Sequence, residues 1–155
     1  MRGKNIPHAF TAQVHLHPDH PERGFRSFNV KPKEGKASFL VSSDDTNILK
    51  TGRKMRFMEL FNFQVEKVEK SRIEGFFHSE FYEEAKKIYA ALLHWIPVDS
   101  GIPCEVVMPD ASVAMGIAEE ACRALAPNEI IQFERFGFVR VDEINKKLTV
   151  YFCHR

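Results

Sequence analysis

Apolar residues along this chain fall in short runs cut by glycine, proline and polar turn residues, the spacing of strands rather than long helices. In residues 10–16, Phe10, Ala12, Val14 and Leu16 alternate with Thr11, Gln13 and His15. Side chains of a strand point alternately to opposite faces, so this run predicts a half-buried strand. It stops in His17-Pro18-Asp19-His20-Pro21-Glu22-Arg23-Gly24, where prolines and a glycine forbid regular structure. Phe28 and Val30 then lead into a predicted hairpin that turns through residues 31–36 and leads out over residues 39–41. Ser43-Asp44-Asp45 resembles a helix start, and residues 47–50 form one short turn closed at Gly52. A mixed run covers residues 54–60. Phe61, Phe63 and Val65 alternate with Asn62, Gln64 and Glu66, and Val68 falls out of phase, which predicts a bulge.

Ser79 is placed to cap a helix over residues 81–87. Residues 88–96 fit a helix or a strand, as short apolar runs do. Pro97, Gly101 and Pro103 break the chain; residues 105–108 read as a strand, and Pro109-Asp110 starts a turn. Residues 129–141 form a long apolar-rich run, Asn145-Lys146-Lys147 a polar turn, and residues 148–152 a final strand. The expected fold is mainly β, with one or two short helices.

Composition narrows the picture. With 155 residues, 44% of them apolar and 14 phenylalanines, the chain can bury a sizeable core in one domain or two small ones. Its 22 basic residues face 21 acids, so charge alone does not point to nucleic acid and any basic face must be local. The three cysteines, Cys104, Cys122 and Cys153, are far apart and form no CxxC pair, which argues against a disulfide scaffold or cysteine zinc site and for a reducing cytoplasm. The first residues do not read as a signal peptide. No apolar stretch reaches the roughly 18 residues of a spanning helix, so no membrane association is expected.

His15, His17 and His20 suggest a metal site, but His20 lies in the proline-containing loop and no cysteine stands nearby, so no metal is expected. Cys104 reads as a small buried residue rather than a nucleophile. Trp95 reads as a core residue. No catalytic residues are identified.

Four ordered segments go further. They are the proline loop 17–24; Gly52-Arg53-Lys54-Met55-Arg56; His94-Trp95-Ile96-Pro97 followed by Pro103-Cys104-Glu105-Val106; and Gln132-Phe133-Glu134-Arg135-Phe136-Gly137-Phe138-Val139-Arg140-Val141-Asp142. From about Gln13 onward, their order and spacing resemble the C-terminal anticodon-binding region of class I glutamyl- and glutaminyl-tRNA synthetases, the archaeal glutamyl type above all. The resemblance implies two linked β-barrels of the type shared with a 5S-RNA-binding ribosomal protein family. Residues 1–27 and 97–155 would make the first barrel and residues 28–96 the second. It also implies that residues 88–96 are strand and that the helix ends near Lys87.

Unstacked anticodon bases are read by stacking and by hydrogen bonds along their edges. The resemblance assigns Gln132 and Arg135 to anticodon nucleotides: Gln132 offers a donor and an acceptor, Arg135 a fork of donors. Residues three apart on a regular strand face opposite sides, so the pair needs a kink or bulge, which Gly137 would accommodate. Arg53, Lys54 and Arg56 match a region that glutaminyl enzymes place against the anticodon loop. Met58, Asn47 and Ile48 replace basic positions of those enzymes, which favours the glutamyl branch. Arg23, Arg26, Lys31, Lys33 and Lys36 are candidate phosphate contacts.

The resemblance implies binding of tRNA, tRNA-Glu first, and no DNA. The class I catalytic motifs are absent from the sequence, and Arg53-Lys54-Met55-Arg56 matches one only superficially. No cofactor is expected on this chain; ATP and magnesium would belong to the catalytic domain of a parent glutamate–tRNA ligase. A strand that normally precedes this region is missing, so an excised domain or a free-standing relative is expected. The competing readings are a free-standing module for tRNA or ribosomal RNA, and a domain that docks onto a synthetase.

Overall fold

The alternating runs become strands. The structure, a computed structural model, describes residues 10–15, 22, 24–33, 36–70 and 72–155. In chain order the strands of the first half are β1 (Phe10–His15), β2 (Phe25–Val30), β3 (Phe39–Leu40), β4 (Lys54–Phe57), β5 (Asn62–Glu69) and β6 (Arg72–Ser79). Helix α1 (Tyr82–Lys87) follows, then β7 (Ala91–Leu93) and β8 (Ile96–Pro97). The second half carries β9 (Ile102–Val107), β10 (Val113–Ala118), β11 (Ile130–Phe133), β12 (Gly137–Ile144) and β13 (Leu148–His154). The fold is mainly β, as expected. No helix among the described residues is long and apolar enough to cross a membrane.

The chain divides into two compact units, Met1–Val98 and Asp99–Arg155, at the break beside Pro97. In the first unit β4 to β7 form a sheet in the order β6-β5-β4-β7, with β7 parallel to β4. Phe63 and Val65 of β5 turn inward with Met55, Phe57, Leu93 and Trp95 to make the core. Burying each such side chain stabilises by roughly 1.5–3 kcal/mol. The Trp95 ring meets Phe39 edge-on at 5.4 Å, and its indole N–H donates to the Met58 carbonyl at 2.9 Å, so it is a core residue. The β5–β6 register shifts between Val65 and Lys67, beside the position where Val68 breaks phase.

Some expectations are corrected. Among the described residues of 28–41 no strand-to-strand hairpin is formed: β2 pairs with β1 and β3 with β8, and a Lys33–Lys36 bridge marks the turn. Strands β1 and β2 pair with each other across residue 27, with Phe10 opposite Val30. The helix start read at Ser43-Asp44-Asp45 is a short helical turn, Ser43–Asp45, capped by Ser42. Ser79 ends β6 and does not cap α1; its Oγ accepts a hydrogen bond from Asn62 at 2.9 Å instead. The helix does stop at Lys87, Tyr89 turns the chain with φ of 50°, and residues 91–93 are strand.

The second unit is a five-stranded sheet in the order β10-β9-β13-β12-β11. Neighbours are antiparallel except β13 and β9, which run parallel with Leu148 opposite Cys104. Ile102, Cys104, Val106, Val139, Val141, Leu148 and Val150 form its core. Strand β10 is absent from the sequence reading. Val113, Ala114, Met115, Gly116, Ile117 and Ala118 are apolar or small throughout, so no alternation marks the strand.

Candidate nucleic-acid interface

The run 129–141 is a hairpin, not one strand. Strand β11 ends at Phe133, and the Phe136 N–H donates to the Phe133 carbonyl at 2.9 Å to close a tight turn. Gln132 is therefore exposed near the end of a strand and Arg135 is exposed in the turn itself. The expected kink is thus a complete reversal of the chain. Arg135 has φ of 64°, at the third position of a turn that usually takes glycine or asparagine there. A left-handed non-glycine residue costs roughly 1–3 kcal/mol and clusters at ligand clamps. Gly137 follows with φ of 148°. A Cβ there would lie 2.7 Å from the His154 carbonyl oxygen and 2.7 Å from the Phe152 ring, so the turn requires glycine at that point.

Cross-strand partners share a sheet face, as do residues two apart on one strand. Gln132 lies opposite Phe138, and Phe138 opposite His154, with the two rings stacked at 4.7 Å. The next row on this face runs Ile130, Arg140, Tyr151, Val107 and Val113 across all five strands. The Arg140 guanidinium sits 5.3 Å from the Tyr151 ring centre and donates to Asn128 Oδ1 at 2.9 Å. The opposite face carries the core. Phe138, Arg140, Tyr151 and His154 are absent from the sequence reading of the site. The signal that finds them is pairing register, which no single strand reveals.

Arg53, Lys54 and Arg56 belong to the first unit. Gly52, with φ of 81°, donates its N–H to the Val65 carbonyl at 2.8 Å, and Val65 returns a bond to the Arg53 carbonyl at 2.9 Å. Arg53 is exposed and donates to the Ile48 carbonyl at 3.3 Å; Lys54 is half-buried.

Arg56 departs from the expected RNA-facing role, because it is only 7% exposed. Its Nη1 donates to Asn62 Oδ1 at 3.0 Å and to the Glu80 carbonyl at 2.9 Å, and its guanidinium lies 5.6 Å from the Tyr82 ring centre. Asn62, fully buried, donates onward to Ser79 Oγ and the Phe81 carbonyl, both at 2.9 Å. Burial pushes the Arg56 pKa below its ordinary value, against the pull of Tyr82 and Glu83. Arg56 therefore ties β4 to β5 and to the start of α1.

Of the candidate phosphate contacts, Lys31, Lys33 and Lys36 are exposed, and Lys36 lies 4.0 Å from Glu74 Oε1. Arg26 is in β2, and Arg23 lies outside the described residues, as do His17, His20 and most of the proline loop. Among the described residues no group of three His, Cys, Asp or Glu side chains suits a metal ion. Cys104 is buried, and desolvation pushes its thiol up to about 11, which disables it as a nucleophile near neutral pH.

An open sheet face bearing an amide, a guanidinium and aromatic rings defines a β-domain suited to unpaired nucleotides. The comparisons give that class its family. Residues 3–80 and residues 92–142 match two family profiles, each described as tRNA synthetases class I (E and Q), anti-codon binding domain. The chain belongs to this anticodon-binding family. It is 42% identical over 150 residues to a glutamate–tRNA ligase of Pyrococcus abyssi, covering 94% of this chain and 25% of that protein. The corresponding ligase of Methanococcus maripaludis is 38% identical over 143 residues, covering 92% and 24%. That of Methanopyrus kandleri is 35% identical over 145 residues, covering 94% and 25%. The chain thus spans about 25% of the length of the curated relatives it matches.

Proposed function

We propose that this chain is the anticodon-reading part of a glutamate–tRNA ligase. It binds tRNA-Glu, while the ATP-dependent attachment of glutamate takes place in a separate catalytic portion that holds ATP and magnesium. The observation that carries this reading is the β11–β12 hairpin, where an exposed Gln132 is followed by Arg135 held in a strained turn. A rigid hairpin end with an amide and a fork of donors suits the edge of an unstacked base. Arg53 and Lys54 are proposed as further contacts to the RNA backbone, where they position without specifying sequence. Arg56 is left out because its guanidinium is held inside the first unit.

The test is a titration of the chain against tRNA-Glu transcripts with native and substituted anticodons, at two salt concentrations. Tighter binding to the native anticodon, with the preference lost in Gln132→Ala, supports the reading. The loss should be about 1–3 kcal/mol, the magnitude of an edge contact in base readout. Equal, salt-sensitive binding to every RNA would replace anticodon reading with generic RNA binding.

A further inference from the structure

We infer that the outer face of β11, β12 and β13 is a base-stacking platform, on which the Phe138–His154 rings and the Arg140–Tyr151 pair hold the unpaired nucleotides flanking the one read at Gln132. This rests on the anticodon-reading role proposed above. The platform is contiguous with the hairpin, since Gln132 is the cross-strand partner of Phe138 and Ile130 that of Arg140.

A bulge sets the composition of this face. Val139 pairs with Phe152, and a regular ladder would then put Cys153 opposite Phe138; the register shift puts His154 there instead. Bulges re-aim side chains beside functional sites. Here the extra residue adds a second ring to the row that contains Gln132. The same place needs Gly137, because any Cβ would strike the His154 carbonyl at 2.7 Å.

Phe138 and Arg140 are half-buried, and their partners stand further out. His154 is exposed, Tyr151 is 39% exposed and Ile130 is 64% exposed. Aromatic rings hold unpaired bases through their π-faces whatever the base, and an arginine over a ring adds a flat, charged surface. Duplex RNA would not offer these π-faces, so the partner is a loop with splayed bases.

The experiment uses the whole chain and an anticodon stem-loop RNA carrying 2-aminopurine at each unpaired loop position in turn. The platform predicts fluorescence quenching, on binding, at the positions flanking the one that Gln132 discriminates. It also predicts that His154→Ala and Tyr151→Leu each weaken binding about 5-fold or more while the base preference set by Gln132 persists. The quench is read on the unaltered chain, so a variant that folds poorly does not decide the matter. Gln132-dependent discrimination without flanking quench, and with unchanged affinity in both variants, overturns the platform alone. Failure of the unaltered chain to bind the stem-loop at any salt overturns the anticodon-reading role, and the platform with it.

Discussion

Asn62→Ala is the sharpest test of the first unit, because Asn62 joins three partners in a place closed to water. It removes the acceptor for Arg56 Nη1 and the donor to Ser79 Oγ and the Phe81 carbonyl. A buried polar group left without its partner costs roughly 1–3 kcal/mol, and a buried charge that loses one costs more. Arg56 keeps its bond to the Glu80 carbonyl, which limits its share. The expected loss is about 3–5 kcal/mol. The assay is urea unfolding followed through Trp95, the chain's single tryptophan, which lies in the core of the same unit. Arg56→Met should cost less, and the double variant less than the sum by about 1 kcal/mol or more, because one network is being broken twice. A loss below about 1 kcal/mol for Asn62→Ala, or strict additivity in the cycle, would refute the network as the tie between β4, β5 and α1.

Three further outcomes are expected. Gly137→Ala should destabilise the second unit by about 2–5 kcal/mol, from strain plus overlap with backbone, whereas Gly116→Ala, with open space around its Cβ, should stay within about 1 kcal/mol of the parent; calorimetry separates the two. Arg135→Gly should change stability by less than about 1 kcal/mol, since relieved strain offsets greater chain entropy, yet weaken discrimination between anticodons in the tRNA titration. At pH 8.5 iodoacetamide should modify exposed Cys153 and spare Cys104, as mass spectrometry would read. The Cys104 thiol titrates near 11 when folded against an ordinary 9.0, so the folded state holds the proton longer. Its stabilising contribution is full below pH 9.0, falls as pH rises towards 11, and should be missing from the alkaline unfolding profile of Cys104→Ala.

What could be read from the sequence depended on how local its cause was. The alternation of Phe61, Phe63 and Val65 predicted β5 because period two is written along the strand itself. The mainly β character and the turn at Asn145-Lys146-Lys147 were legible for the same reason. Strand β10 was not, since small and apolar residues occupy both of its faces. The turn inside 129–141 was hidden because its left-handed residue is an arginine, where sequence rules look for glycine or asparagine. Arg56 was read as RNA-facing because it matches a basic position in the resembling enzymes; its hydrogen bond to the Glu80 carbonyl, 24 residues away, is not written in the local sequence. The partners of Gln132 on the sheet face were equally out of reach, because a bulge in β13 decides which side chain stands opposite Phe138.

The central position of β13 has a consequence for biosynthesis. Hairpins β9–β10 and β11–β12 are each local in sequence, but neither closes the core, because β13 lies between them and pairs with both. On the ribosome the two hairpins must wait, with Cys104, Val106, Val139 and Val141 uncovered, until Leu148 and Val150 have left the exit tunnel. Nascent chains arrested before residue 148 should therefore recruit chaperones, and arrest after a linker added behind Arg155, long enough to span the tunnel, should release them.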